Sequence, residues 1–102
     1  MNEIERIQKW YRNQCDDDWE HSYGVKIDTL DNPGWSLIVD LAGTQMEQTL
    51  FSPIAYRVGE NSETKDEDWY VCKVEDSQFK GFGGPNHLKT ILGIFLKWAE
   101  EG

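Results

Sequence analysis

Apolar side chains recur at intervals of three and four along the first turns of the chain. Ile4, Ile7, Trp10, Tyr11 and Gln14 fall on helical spacing, and the apolar members are expected to form the buried stripe. Asn2 stands where an N-cap belongs and Glu5 follows three residues later, a variant of the capping box. The spacing predicts an amphipathic helix over 2–14, stopped by Asp16-Asp17-Asp18. From residue 22 the period changes to two. Tyr23, Val25 and Ile27 fall on one side, with Gly24, Lys26 and Asp28 on the other, predicting a half-buried strand over 22–30. Asp31-Asn32-Pro33-Gly34 is a turn sequence. Proline presets φ and glycine accepts positive φ, so a type II turn is expected. Alternation resumes over 35–42 with Trp35, Leu37, Val39 and Leu41 on one face. The two strands read as a β-hairpin.

Downstream the pattern is weaker. Residues 50–58 suit a strand, but Pro53 confines it to an edge or a strand start. Residues 59–68 are polar and acidic and read as a loop, and 69–76 alternate again as a strand. Phe79-Lys80-Gly81-Phe82-Gly83-Gly84-Pro85 reads as a glycine-rich loop whose glycines take positive φ. A second helix is predicted over 86–100, with Pro85 in its first turn and Leu88, Ile91, Leu92, Phe95 and Trp98 as its apolar stripe. Gly93 inside it costs roughly 1 kcal/mol relative to alanine. The order α-β-β-β-β-α predicts an α+β domain spanning 1–102. Its antiparallel sheet has about four strands, mostly a meander, with the N- and C-terminal helices on one face.

Charge changes the picture from fold to partner. Nineteen acidic residues against ten basic ones leave −9 on 102 residues. A field of that sign repels nucleic acid and anionic membrane and attracts basic protein surfaces. Five tryptophans, four tyrosines and four phenylalanines offset the low apolar content of 38%, so a folded domain is expected rather than an acidic disordered tail. The acids concentrate in two runs, each with a tryptophan: Cys15 to His21 and Glu60 to Tyr70. Asp16, Asp17, Asp18, Trp19 and Glu20 in the first, and Asp66, Glu67, Asp68 and Trp69 in the second, are the candidate protein-binding residues. Trp19 and Trp69 are open to two readings, interface anchor or a tryptophan closing the edge of the core. Trp35 and Trp98 stand at core-phase positions. No apolar run is long enough for a membrane span, and the charged N-terminus has no apolar signal segment. A cytoplasmic protein with two reduced thiols, Cys15 and Cys72, is expected.

Other chemistries find little support. Asp16-x-Asp18-x-Glu20 resembles the start of a calcium loop, but His21 and Ile27 occupy the positions where glycine and glutamate are needed. Cys15 and His21 suit zinc only with further ligands from Cys72, His87 or an aspartate, and no spacing demands them. Cys15 with His21 or His87 as a thiolate–imidazole pair lacks a nucleophile-elbow or oxyanion motif. The glycine run before the last helix lacks the lysine and hydroxyl of a phosphate loop. No cofactor is expected, and a metal or thiol enzyme using Cys15 and His21, or a general acidic adaptor, are the alternatives.

Cys15-Asp16-Asp17-Asp18-Trp19-Glu20-His21-Ser22-Tyr23-Gly24, then Leu30-Asp31-Asn32-Pro33-Gly34-Trp35, resemble the signature of the immunity protein 53 family of bacterial polymorphic-toxin systems. Phe79-x-Gly81-x-Gly83-Gly84-Pro85 and a closing amphipathic helix ending near Trp98 extend the likeness over nearly the whole chain. Asp17 stands where the family pattern often has glycine. The resemblance implies a small non-enzymatic cytosolic protein, encoded beside a secreted toxin, that binds the toxin domain and protects the producing cell. It assigns no toxin-contacting residues. A basic toxin surface, such as a nuclease site shaped for phosphate, is what the acidic runs would fit.

Overall fold

The computed structural model describes residues 1–58 and 67–101. The elements are α1 (Glu3–Gln14), α2 (Trp19–Ser22), β1 (Val25–Leu30), β2 (Gly34–Asp40), β3 (Ile54–Tyr56), β4 (Tyr70–Glu75), β5 (Gln78–Gly83) and α3 (Leu88–Glu101). α1 starts with the expected capping box. The Asn2 side chain accepts from Glu5 N at 2.9 Å, and the Glu5 carboxylate accepts from Asn2 N at 3.2 Å.

The fold is α+β: an open antiparallel sheet with the N- and C-terminal helices packed against it. The sheet has five strands in the order β1-β2-β5-β4-β3, one more than the pattern predicted. The additional strand is β5, inside the segment read as a glycine-rich loop, and it lies at the centre of the sheet between β2 and β4. β3, β4 and β5 form a meander, while residues 41–53 carry the chain from β2 to the far edge. Those residues bury Leu41 and Met46 in the core on the way. β3 is a short edge strand just after Pro53, as the proline required.

The register explains why β5 hides from a pattern search. Directly opposite residues share a face. One row of the helix-side face reads Val25, Val39, Phe79, Val74; the next reads Ile27, Leu37, Gly81, Cys72, Ile54. Gly81 and Gly83 therefore occupy inward positions where an alternating strand would carry large apolar residues. A Cβ on Gly81 would lie 3.1 Å from Phe79 Cε1 and 3.4 Å from Ile91 Cβ. The absence of a side chain there lets α3 settle on the sheet. Among the described residues Gly43 is the only glycine with positive φ, so the glycines of this segment serve close approach rather than turn conformation. The β1–β2 turn also departs from type II. Its Asn32–Pro33 peptide is cis, and Gly34 needs no positive φ but faces the Gly83 carbonyl, which a side chain would strike.

The core is aromatic. Phe95 of α3 contacts Phe79 of β5 at 5.1 Å between ring centres and Trp10 of α1 at 5.0 Å, and Phe51 from the crossover meets Phe79 at 5.4 Å. Leu37, Val39, Leu41, Cys72, Ile91 and Leu96 fill the space between layers. Trp35 and Trp98 are half-buried, and their indole N–H groups donate to Pro85 O and Leu50 O. Helix cover ends at β2. α3 packs on β2, β4 and β5, and α1 packs on α3. Tyr23, Val25 and Ile27 keep the predicted alternation, but Val25 alone is part-buried against the core; Tyr23 and Ile27 are exposed.

Two glycines should respond to alanine in opposite directions. Gly81→Ala overpacks the helix–sheet contact and is expected to cost about 1–3 kcal/mol. An added Cβ on Gly93 meets nothing within 4 Å, so Gly93→Ala is expected to stabilise α3 by about 0.5–1 kcal/mol. Urea unfolding of the two variants beside the parent chain measures both.

Candidate functional site

The first acidic run forms the turn from α1 into α2, and its acids divide between fold and surface. The Asp16 carboxylate accepts from Trp19 N at 2.9 Å and Asp18 N at 3.1 Å. Glu20 reaches back to accept from Asp16 N and Asp17 N, both at 2.9 Å. The backbone amide of Glu20 itself, joined by those of Asp16 and Asp17, holds the Glu20 carboxyl below the usual carboxylate range against the opposing effect of burial. Asp17 sits between them at φ 69°, in the left-handed region. That is a conformation glycine adopts without strain and aspartate tolerates better than most residues. Its side chain and that of Asp18 are exposed and make no hydrogen bond among the described residues. Asp16 and Glu20 thus build the turn, and Asp17 and Asp18 present its charge.

Trp19 is 6% exposed and belongs to the core. Its indole donates to Ala42 O at 2.8 Å, and its ring meets Trp10, Tyr11 and Tyr23. Of the two readings open for Trp19, burial supports the tryptophan that closes the core edge. The aromatic surface beside the acidic turn is supplied instead by Tyr11 and Tyr23, which helical spacing and strand alternation respectively counted as inward; of the α1 stripe only Ile7 and Trp10 are buried, and Ile4 is exposed with Tyr11.

Within the second run Asp66 lies outside the described residues. Glu67 and Asp68 are exposed and Trp69 is half-buried. Asp68 joins the segment before β4 to the start of α3. His87 Nε2 lies 2.6 Å from Asp68 Oδ1, and His87 Nδ1 lies 3.1 Å from Thr90 Oγ1. Tyr56 donates to Asp68 Oδ2 at 3.4 Å, and Arg57 approaches the same oxygen at 3.9 Å. The hydrogen bond from His87, followed by the charges of His87 and Arg57, holds the Asp68 carboxyl below its ordinary range. Behind it Tyr56 stacks on Tyr70 at 4.9 Å, and Tyr70 meets His87. Gly84 closes the joint. Its N–H donates to Trp69 O at 2.9 Å, and any side chain on it would strike the Glu67 carbonyl. Spacing gave no signal for this His87–Asp68 pair, because its members are 19 positions apart.

The first acidic run and the described part of the second, Glu67 to Tyr70, do not converge. Gly24 N donates to the Asp40 carboxylate, so the first cluster lies where β2 ends. Tyr70 pairs with Gly83 and Gly83 with Trp35, so the second lies where β2 begins. The seven residues of β2 separate them by roughly 20 Å.

Cys15 is half-buried at the end of α1, where its thiol bonds Tyr11 O at 3.3 Å. Cys72 is buried in β4, and burial pushes its thiol up to about 12, away from nucleophilic use. Among the described residues no three of His, Cys, Asp and Glu gather closely enough to hold one metal ion. No helix among them is long and apolar enough to cross a membrane.

The sequence model of the family described as Immunity protein 53 matches residues 4–100. No curated protein and no solved structure matches the chain.

Backbone conformation at the acidic turn can be tested by substitution. Asp17→Val should cost about 1–2 kcal/mol more than Asp17→Gly, because a β-branched side chain is strained at positive φ; chemical denaturation of the pair decides this. The Asp68–His87 joint should respond to acid. A depressed carboxyl pKa contributes stability above its unfolded value that is lost as pH falls through the folded value. Between neutral pH and the region below about pH 4, the parent chain should therefore lose more stability than Asp68→Asn, as read by thermal melts at each pH.

Proposed function

Because the chain belongs to the immunity protein 53 family, we propose that it neutralises a cognate bacterial toxin by binding the toxin domain and covering its active surface. The family match over residues 4–100 carries this reading. On this reading the protein works in the producing cell's cytoplasm as part of a polymorphic-toxin system, by occlusion and not by catalysis. The finer assignment rests on charge. A net −9 steers the protein toward a basic partner, and a nuclease site built to hold phosphate is such a surface.

Two presented groups support contact at the ends of β2. One is the Asp17–Asp18 tip of the α1–α2 turn, held by Asp16 and Glu20 and flanked by Tyr11 and Tyr23. The other is Glu67 and Asp68 beside Trp69, with Asp66 continuing the run in sequence. A standard interface covers about 800 Å² per partner. That is wide enough for one toxin face to touch both groups across the roughly 20 Å length of β2. In this arrangement the acids supply steering and rim charge pairs, while exposed tyrosines supply apolar contact. Trp19 supports the turn from beneath.

The test is a titration against the toxin domain encoded beside this gene, at two salt concentrations. Nanomolar binding that weakens with salt is expected. Asp17→Asn with Asp18→Asn should chiefly slow association at low salt and leave the dissociation rate nearly unchanged. Tight binding indifferent to salt would keep the inhibitory role but move the interface off the acids. Absence of binding at both salts would remove the reading.

A further inference from the structure

We propose that the free edge of β1 is a self-recognition strand that joins two copies of this chain into a symmetric dimer through one continuous antiparallel sheet. The inference does not rest on the toxin-binding reading, but pairing of two copies covers Tyr11 and Tyr23 and so competes with toxin contact at those residues. It starts from an uncovered surface. β1 is an edge strand of six residues with no proline, a length that sheet proteins ordinarily shield. Its helix-side face continues the row Leu37–Gly81–Cys72 outward to Ile27, but the helices stop short of it. Ile27 is 43% exposed, Tyr23 42%, Tyr11 39% and Ile4 53%. Ile4 and Tyr11 are seven residues apart on α1 and so share one side of the helix. Ring contacts from Tyr11 to Trp19 to Tyr23 continue that apolar surface to the start of β1.

The backbone sets the register of what can pair. Asp40 N donates to Gly24 O, so Gly24, Lys26, Asp28 and Leu30 direct their backbone groups at β2. By alternation Val25, Ile27 and Thr29 direct theirs outward. The Thr29 N–H bears this out, since it is satisfied by the Asp28 carboxylate at 2.8 Å instead of by a strand.

A second copy fits that edge. Antiparallel pairing about Ile27 sets Ile27 against Ile27 and Val25 against Thr29 as hydrogen-bonded pairs. It also sets Lys26 of each copy directly opposite Asp28 of the other. The Lys26–Asp28 match occurs twice, is generated by the two-fold axis, and falls on the closer-spaced positions of the ladder. That axis runs normal to the sheet, so both helix layers stay on one side. The Ile4, Tyr11 and Tyr23 surfaces of the two copies then face one another across the paired isoleucines. A shift of one residue in either direction loses both charge pairs and the Ile27 contact. The net −9 on each copy opposes association, so screening by salt favours the dimer.

Sedimentation velocity of the full chain over a range of concentrations, at about 0.15 M salt, tests this. The expected result is concentration-dependent conversion from 11.9 kDa to twice that mass. Ile27→Lys, an exposed position, should abolish the conversion while circular dichroism stays unchanged. Lys26→Asp and Asp28→Lys should each abolish it by opposing like charges. The double variant Lys26→Asp with Asp28→Lys should restore it, which a merely structural role for either residue would not do. The proposal is overturned if the chain stays monomeric at every concentration. It is also overturned if the dimer survives Ile27→Lys and the single charge reversals. Protection of the Ile27 amide from hydrogen exchange by the toxin domain, with no self-association, would assign this edge to the toxin and overturn the proposal as well.

Discussion

The seating of Phe95 on Phe79 holds the two layers of this domain together. Phe79 projects from the central strand β5 and Phe95 from the middle of α3, and each is fully buried. Trp10 reaches the same point from α1, and Phe51 reaches it from the crossover between β2 and β3. Four segments of the chain thus meet at one aromatic contact. Its geometry depends on Gly81, two residues along the same strand, where a Cβ would crowd the Phe79 ring at 3.1 Å and reach Ile91 of α3 at 3.4 Å. Large aromatics beside a glycine let 102 residues with modest apolar content make one well-filled core.

The acidic character has a structural use besides its bearing on a partner. At the α1–α2 turn, carboxylates replace missing helix partners for four backbone amides, those of Asp16, Asp17, Asp18 and Trp19. At the other end of β2, Asp68 ties the segment before β4 to His87 at the start of α3. Charge density alone cannot distinguish acids that build such joints from acids offered to solvent. Hydrogen-bond geometry does: among the described residues of these two sites, Asp17, Asp18 and Glu67 are presented outward, while Asp16, Glu20 and Asp68 also build the joints.

Local order carried much of this protein's description. The capping box marked the start of α1, the 3.6-residue period marked α1 and α3 but not the single turn α2, and alternation marked β1, β2 and β4, because each signal is a property of neighbouring residues. The proline at position 53 correctly confined β3 to an edge. The motifs from Cys15 to Gly24 and around the glycine run marked the family. Asp17 holds a left-handed φ, a backbone conformation that no periodicity announces.

Tertiary structure decided the rest, because burial and close approach belong to pairs of elements. A strand with glycines at inward positions looks like a loop until a helix is laid on it; β5 was therefore invisible to periodicity. Alternation showed which side of β1 is apolar, yet not that the helices would stop at β2 and leave Ile27 in solvent. The sequence placed a tryptophan in each acidic run, but the ring contacts of Trp19 with α1 and its bond to Ala42 put it in the core. It likewise could not place the first acidic run and Glu67–Asp68 at opposite ends of β2, since that separation follows from strand order and register, which arise only when distant segments pair.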